Sequence, residues 1–220
     1  MAKECKHLEI YTQVSTAYVN CDRLGYIEEK LYNPNVDVAS RVREFMSMSD
    51  LEIKEQQSKL IGNFPNTYTF TKNLAEKNLV QNLGNLKCVI WRPSIIASSL
   101  KEPFPGWTDQ LSAAGSVTVL GGLGLMPYLQ GTGKNTVDMI PVDIVSNGLL
   151  VATAHGAQAQ DNNLHIYNCG TSVQNPITLV YYKNYMLTQL KVLKLNDQKF
   201  KVTTEMIESQ FEFDLRKKVF

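Results

Sequence analysis

The sequence predicts an α/β fold built around a parallel β-sheet. Two short apolar runs, residues 8–14 and 86–91, flank a stretch at residues 67–83 in which apolar side chains recur at helical spacing. The order strand, helix, strand is typical of a βαβ unit, in which the two strands run parallel. A further short run at residues 164–168 predicts another strand of the same sheet.

The first half of the chain contains the clearest elements. The strand at residues 8–14 runs into the small residues Ser15, Thr16 and Ala17, which indicate a loop. Residues 22–63 are polar and charged, and their middle has helical composition, so we interpret them as a peripheral excursion with one or two helices rather than as core. The next helix follows Pro65 and ends at the pair Gly84-Asn85.

The second half gives weaker signals. Residues 106–133 are rich in glycine and are predicted to be mostly loop, including a flexible loop at Gly121–Gly124 near a substrate entrance. That glycine run has proline at residue 127, where a dinucleotide-binding fingerprint would need its third glycine, and we reject it as such a motif.

Further on, residues 137–142 predict a short extended segment, and Asp143 is predicted to cap a helix through Ala154. From residue 176 a helical pattern continues to about residue 195, and the charged residues 215–220 indicate a solvated terminus.

Composition excludes several classes of function. The chain has 220 residues, with 22 basic against 21 acidic ones, so nucleic acid is not an expected partner. The four cysteines and three histidines are scattered without ligand spacing, which predicts neither a metal site nor a disulfide scaffold. We find no signal-peptide core and no uncharged apolar run of about 18 residues, so no membrane span is predicted.

The candidate catalytic pair is Tyr68 and Lys72, four residues apart on the predicted helix and therefore on one face of it. A free tyrosine has a pKa of about 10, and a nearby ammonium favours its phenolate, so such a pair can pass a proton to or from a carbonyl oxygen. The spacing alone is weak evidence, because Tyr26 and Lys30 repeat it in a polar connection. A helix-surface tyrosine is the alternative interpretation.

Hydroxyl groups follow the first predicted strand at Ser15 and Thr16. At the carboxyl end of a parallel strand a hydroxyl points into the ligand crevice, where it can hold a substrate carbonyl oxygen. The more common alternative is a hydroxyl that hydrogen-bonds its own backbone where a loop begins.

Several motifs in this order resemble the alcohol-forming fatty acyl-CoA reductases, which are extended short-chain dehydrogenases. The matching segments are Val-Ser-Thr-Ala-Tyr at 14–18, Tyr-Thr-Phe-Thr-Lys at 68–72, Arg-Pro-Ser at 92–94, Lys-Glu-Pro-Phe-Pro-Gly-Trp at 101–107 and Ile-Pro-Val-Asp at 140–143. The segment at 101–107 is the most specific, and the resemblance covers roughly residues 6–178. It implies reduction of a long-chain fatty acyl-CoA to a fatty alcohol with NADPH.

The resemblance also implies roles for residues. Tyr68 would donate the proton, Lys72 would hold the nicotinamide ribose, and Thr16, or with less support Ser15, would bind the carbonyl oxygen. The segment Pro93, Ser94 and Ile95 would lie beside the nicotinamide, so that Lys72 and this segment form the cofactor-binding set.

Measured against that family, the chain is expected to form a partial Rossmann-like sheet that lacks the N-terminal nucleotide-binding strands. Residues 1–178 would be the catalytic half of the NAD(P)-binding domain, and residues 179–220 a poorly matched extension. We therefore expect weak cofactor affinity and no turnover from the isolated chain. The alternative interpretation is that the chain is a non-catalytic fragment or remnant of such a reductase. The default location is cytoplasmic, and the resemblance allows association with the endoplasmic reticulum or peroxisomes.

Overall fold

The structure, a computed structural model, describes residues 2–111, 113–160, 163–192 and 203–219. Its strands are β1 (Tyr11–Val14), β2 (Cys88–Pro93), β3 (Ile95–Ala97), β4 (Tyr128–Gln130), β5 (Thr136–Val137), β6 (Met139–Pro141), β7 (Leu164–Cys169), β8 (Ile177–Thr178) and β9 (Glu205–Ile207). Its α-helices are α1 (Val38–Ser47), α2 (Asp50–Ile61), α3 (Thr67–Gln81), α4 (Ala113–Gly122), α5 (Val142–Gln158), α6 (Leu179–Val192) and α7 (Gln210–Val219). Two short 3₁₀-helices span Ala2–Glu4 and Ala17–Asn20.

The chain divides into two compact units, each made of two chain segments. Unit 1 comprises residues 1–94 and 146–169, and unit 2 comprises residues 95–145 and 170–220. The predicted division after residue 178 falls inside unit 2, and it stays a prediction.

Unit 1 contains the predicted parallel sheet, in the strand order β1-β2-β7. Both strand pairs are parallel, with Tyr11 opposite Cys88 and Cys88 opposite Leu164. Every residue of the central strand β2 is buried, which explains the apolar run at residues 88–91. The three predicted strands are therefore confirmed, although β1 begins at Tyr11 rather than at residue 8.

Helix α3 connects the first two strands, as the sequence predicted. It begins after Asn66, whose side chain accepts a hydrogen bond from the Thr69 N–H group, as an N-cap does. Asn73 fixes the helix to the 3₁₀-helix after β1, because its side-chain amide donates to the Val19 carbonyl at 3.0 Å.

The excursion before α3 forms two helices, α1 and α2, in agreement with the prediction. Ser49 and Glu52 form a reciprocal capping box at the start of α2. The excursion is less peripheral than predicted, because Val38 and Leu60 are buried. Phe45 and Phe64 both contact Phe70 of α3 edge to face, so the excursion covers one side of this helix.

In unit 2 the prediction of a loop-rich region is wrong, because α4 and β4 lie within it. Gly121 and Gly122 are the last two residues of α4 and not a flexible loop. A β-carbon added at Gly121 would meet Met186 of α6, and one added at Gly122 would meet Leu190 at 2.7 Å. These glycines therefore allow α4 and α6 to approach closely.

The prediction for Asp143 is also wrong in part. Helix α5 begins at Val142 and runs to Gln158, so Asp143 lies inside its first turn and the helix extends beyond Ala154. The Asp143 carboxylate binds the backbone of a loop at residues 100–102 instead of capping its own helix. Near the carboxyl end of the chain, α6 extends to Val192, and residues 193–195 of the predicted helix lie outside the described part of the chain.

Candidate active site

The candidate site lies at the carboxyl ends of β1 and β2 in unit 1. The Ser15 N–H group donates to the Trp91 carbonyl at 2.7 Å, which continues the pairing of these two strands by one residue. The segment Ser15-Thr16 therefore lies close to the end of β2, which is followed directly by Ser94. Ser15, Thr16 and Ser94 are all buried, so the predicted hydroxyl groups collect at one edge of the sheet.

Helix α3 brings Lys72 to the same edge. The Lys72 Nζ atom donates to the Val14 carbonyl at 3.1 Å, directly before Ser15. Tyr68 lies in the first turn of α3, and Lys72 Nζ is 6.0 Å from the centre of its ring. The Tyr68 side chain is 54% exposed, so the phenol is open to a substrate.

The two hydroxyls after β1 have different surroundings. Thr16 Oγ1 accepts a hydrogen bond from the Tyr18 N–H group at 3.2 Å and caps the 3₁₀-helix, which is the local role that the sequence left open. Ser15 Oγ is buried and has no hydrogen-bond partner among the described residues, and the same holds for Ser94 Oγ. A buried hydroxyl without a partner costs free energy, which favours a ligand that supplies one.

The predicted cofactor segment is divided between the two units. In unit 1, Pro93 ends β2, and the Ser94 N–H group donates to the Cys169 carbonyl at 2.9 Å. Ile95 opens β3 in unit 2, where its N–H group donates to the Asp138 carbonyl at 3.1 Å.

The second Tyr-x-x-x-Lys match has no helical context. Tyr26 is 89% exposed, and the segment from Tyr26 to Lys30 is not helical. Lys30 forms an ion pair with Glu28. The i, i+4 argument that places Tyr68 and Lys72 on one face therefore does not apply to this pair.

A buried ion pair holds α3 against β2, and the sequence argument did not anticipate it. The Arg92 guanidinium donates to both carboxylate oxygens of Glu76, at 2.9 and 2.7 Å, and the two side chains are 0% and 1% exposed. Arg92 also donates to the Lys30 carbonyl at 3.1 Å. One signal was present, because Glu76 follows Lys72 by four residues and an arginine stands in an otherwise apolar strand.

Neither a metal-ligand cluster nor a membrane-spanning helix is found in the described part of the chain. Among them, no three histidine, cysteine or acidic side chains come together as a metal site would require. None of the helices described is both long and apolar enough to cross a membrane.

Comparisons with known proteins agree with this architecture. Residues 1–149 match a family model for NAD-binding proteins that is described as male sterility protein. Fatty acyl-CoA reductase 1 of Xenopus laevis is 39% identical over 176 residues, which are 80% of this chain and 34% of that protein. The chain thus spans about a third of the length of this relative.

Solved structures show the same fold at low identity. The terminal R domain of the myxalamid PKS-NRPS pathway superimposes with a TM-score of 0.54 at 14% identity, over 94% of this chain and 41% of that one. UDP-glucuronic acid 4-epimerase of Bacillus cereus, solved in complex with NAD, has a TM-score of 0.53 at 14% identity, over 94% and 53%.

Proposed function

The chain belongs to the male sterility protein family, and from this premise we propose that it provides the proton-transfer part of an NADPH-dependent reductase that converts long-chain fatty acyl-CoA to fatty alcohol. One observation carries the proposal: the hydrogen bond from Lys72 to the Val14 carbonyl brings the lysine of the Tyr-x-x-x-Lys pair next to a buried serine hydroxyl. In this proposal residues 1–178 form the catalytic half of the domain, and residues 179–220 follow it as an extension.

Each residue at the sheet edge has a distinct task in this proposal. Tyr68 donates the proton to the carbonyl oxygen as that oxygen gains negative charge, and Lys72 stabilises the resulting phenolate. Ser15 and Thr16 donate hydrogen bonds to the same oxygen. The buried, unpartnered hydroxyl makes Ser15 at least as good a candidate as Thr16.

The groups at this edge fit the nicotinamide end of a dinucleotide. Ser94 Oγ is buried without a partner among the described residues, and a carboxamide can both donate to it and accept from it. Lys72 would hold the ribose, while Pro93 would lie beside the ring. Bound NADPH would supply a hydride to the carbonyl carbon.

The overall reaction takes two such hydrides. The first reduction breaks the carbon–sulfur bond of the thioester, with one hydride and one proton consumed, and leaves the aldehyde and free CoA. The second adds another hydride and proton to the aldehyde and gives the alcohol. In the first reduction the oxygen proton leaves again when the hemithioacetal collapses to the aldehyde, and the net proton ends on the sulfur of CoA. In the second reduction the proton from Tyr68 stays on the alcohol oxygen, and Tyr68 is then reprotonated from solvent.

The test uses a complete reductase that carries this segment, with Tyr68→Phe as the variant. We expect acyl-CoA reduction to fall about 10²- to 10⁴-fold while NADPH affinity is retained, because only the phenolic proton is removed. Lys72→Ala should lower both. Tyr26→Phe and Lys30→Ala are matched controls, since they remove the same groups from the match outside a helix, and they should leave the rate unchanged.

The outcomes distinguish the two functions considered for this chain. Wild-type rates in Tyr68→Phe would show that another group supplies the proton. A complete protein that binds neither NADPH nor acyl-CoA would instead support the non-catalytic remnant.

A further inference from the structure

Unit 2 contains a cavity of about 310 Å³ next to the start of β3. This volume is at the lower end of the range of about 300–1,000 Å³ that is common for ligand pockets. Its lining is mixed, with apolar side chains and two hydroxyls that bind each other, and includes Ile96, Ala97, Leu111, Met139, Thr118 and Tyr182.

The loop at residues 98–107 forms one wall of this cavity through Ser98 and Gly106. It is closed on itself by buried Ser99, whose hydroxyl donates to the Phe104 carbonyl at 2.6 Å and accepts from the Trp107 N–H group at 3.1 Å. The Ser99 backbone adds two more hydrogen bonds. Its N–H group donates to the Trp107 carbonyl, and its carbonyl accepts from the Gly106 N–H group.

Asp143 is the group that fixes this closed loop to the rest of unit 2. Its carboxylate accepts from the N–H groups of Leu100, Lys101 and Glu102 at 2.9, 2.9 and 3.2 Å. Asp143 thus binds the backbone of these three residues, whose side chains are exposed. Asp143 follows β6, which pairs in parallel with β3. Through Asp143 the loop is therefore attached next to the two strands that line the cavity.

We propose that Asp143 is a positioning residue of the acyl site: by holding the 98–107 loop, it shapes the unit 2 cavity that takes methylene groups of the fatty acyl chain. This inference rests on the proposed reductase function, since that function supplies the ligand. The apolar lining suits the methylene groups of the chain. Asp143 itself does not touch the substrate in this arrangement.

A carboxylate is required at this position for a physical reason. Three N–H groups converge on Asp143, and an ionised carboxylate is an acceptor at both oxygens. An asparagine of the same size accepts at one oxygen only and would turn an NH₂ group toward the remaining donors. Asp143→Asn therefore removes the anchor while it keeps the shape and the position in α5.

The first measurement is amide hydrogen exchange of the chain itself, read on fragments that contain residues 100–102. In Asp143→Asn and in Asp143→Ala we expect these amides to exchange about tenfold faster than in the unchanged chain. The amides of β2, in unit 1, should stay protected, which separates local release from unfolding. Glu55→Gln is the matched control, because it removes an exposed carboxylate that lies on α2. It should leave the exchange rates of residues 100–102 unchanged.

The second measurement is the affinity of the same proteins for dodecanoyl-CoA, with free CoA as a reference. We expect the unchanged chain and Glu55→Gln to bind dodecanoyl-CoA more tightly than CoA. Both Asp143 variants should lose about tenfold in this preference, because the wall of the acyl cavity is released. Affinity for free CoA should not change, and a general structural defect would lower both affinities.

Three results would overturn the inference. Unchanged exchange at residues 100–102 would show that Asp143 does not hold the loop. Faster exchange with an unchanged preference for dodecanoyl-CoA would show that the loop does not shape the acyl site. Equal affinity of the unchanged chain for dodecanoyl-CoA and CoA would show that the cavity does not bind the acyl chain. None of these affects the Tyr68→Phe test of the reductase function.

Discussion

At the scale of single residues, Cys88 shows how burial controls reactivity. Its side chain is fully buried at the start of β2, and burial raises the pKa of the thiol to about 12. Cys5 is exposed. We expect iodoacetamide at pH 8 to modify Cys5 in the native chain and Cys88 only after denaturant is added, as read by peptide mass spectrometry. Native-state labelling of Cys88 would contradict the buried position of β2.

The same thiol predicts a pH dependence of stability. Because the folded-state pKa of Cys88 is raised above its ordinary value of 9.0, the unfolded chain loses this proton first as pH rises. The contribution of Cys88 to stability is therefore present below about pH 9 and decreases between about pH 9 and 12. Urea unfolding at pH 7 and pH 10 should show a larger loss in the unchanged chain than in Cys88→Ala, and equal losses would refute this assignment.

Single residues also show what the sequence could predict about the site. The spacing of Tyr68 and Lys72 placed them on one helix face, and the end of an apolar run placed Ser15 and Thr16 after a strand. The partner of Arg92 was not predictable, because a pairing across 16 residues depends on how α3 packs on the sheet. The role of Asp143 was missed for a similar reason, since its partners lie about 40 residues earlier in the chain.

At the scale of elements, the position of α3 on β2 depends on the pair of Glu76 and Arg92. Glu76→Gln leaves a buried guanidinium without its counter-charge, and we expect the free energy of unfolding to fall by about 3–5 kcal/mol. Glu212→Gln is the matched control, because Glu212 pairs with Arg216 at a partly exposed site, and it should lower the free energy of unfolding much less. Chemical denaturation of both variants gives the comparison, and similar costs would contradict a structural role for the buried pair.

The elements that the sequence predicted correctly are those with a strong period or a buried run. Strands β1, β2 and β7 and helix α3 have such patterns, and they form the sheet and its first crossover. Helix α4 was missed because its glycines indicate a loop when they are considered alone. Only the close approach of Met186 and Leu190 shows why small residues stand there, and that contact is made with α6.

At the scale of the whole molecule, each unit is assembled from separate pieces of chain. The sheet of unit 1 takes β1 and β2 from residues 1–94 and β7 from residues 146–169, and the intervening residues 95–145 belong to unit 2. Unit 1 therefore cannot be obtained by cutting the chain once. We expect a chain that ends at residue 160 to leave the β2 amides unprotected against hydrogen exchange, whereas a chain that ends at residue 192 protects them; protection in the shorter chain would show that β7 is dispensable.

This discontinuity has a consequence during synthesis. After β2 has been made, the ribosome must add the 70 residues from 94 to 163 (163 − 93) before the first residue of β7 exists. At typical rates this takes on the order of 4 to 14 s, during which one edge of the fully buried strand β2 has no neighbour. During this interval the unpaired edge can associate with strands of other chains, which the finished sheet prevents at that edge by pairing β2 with β7.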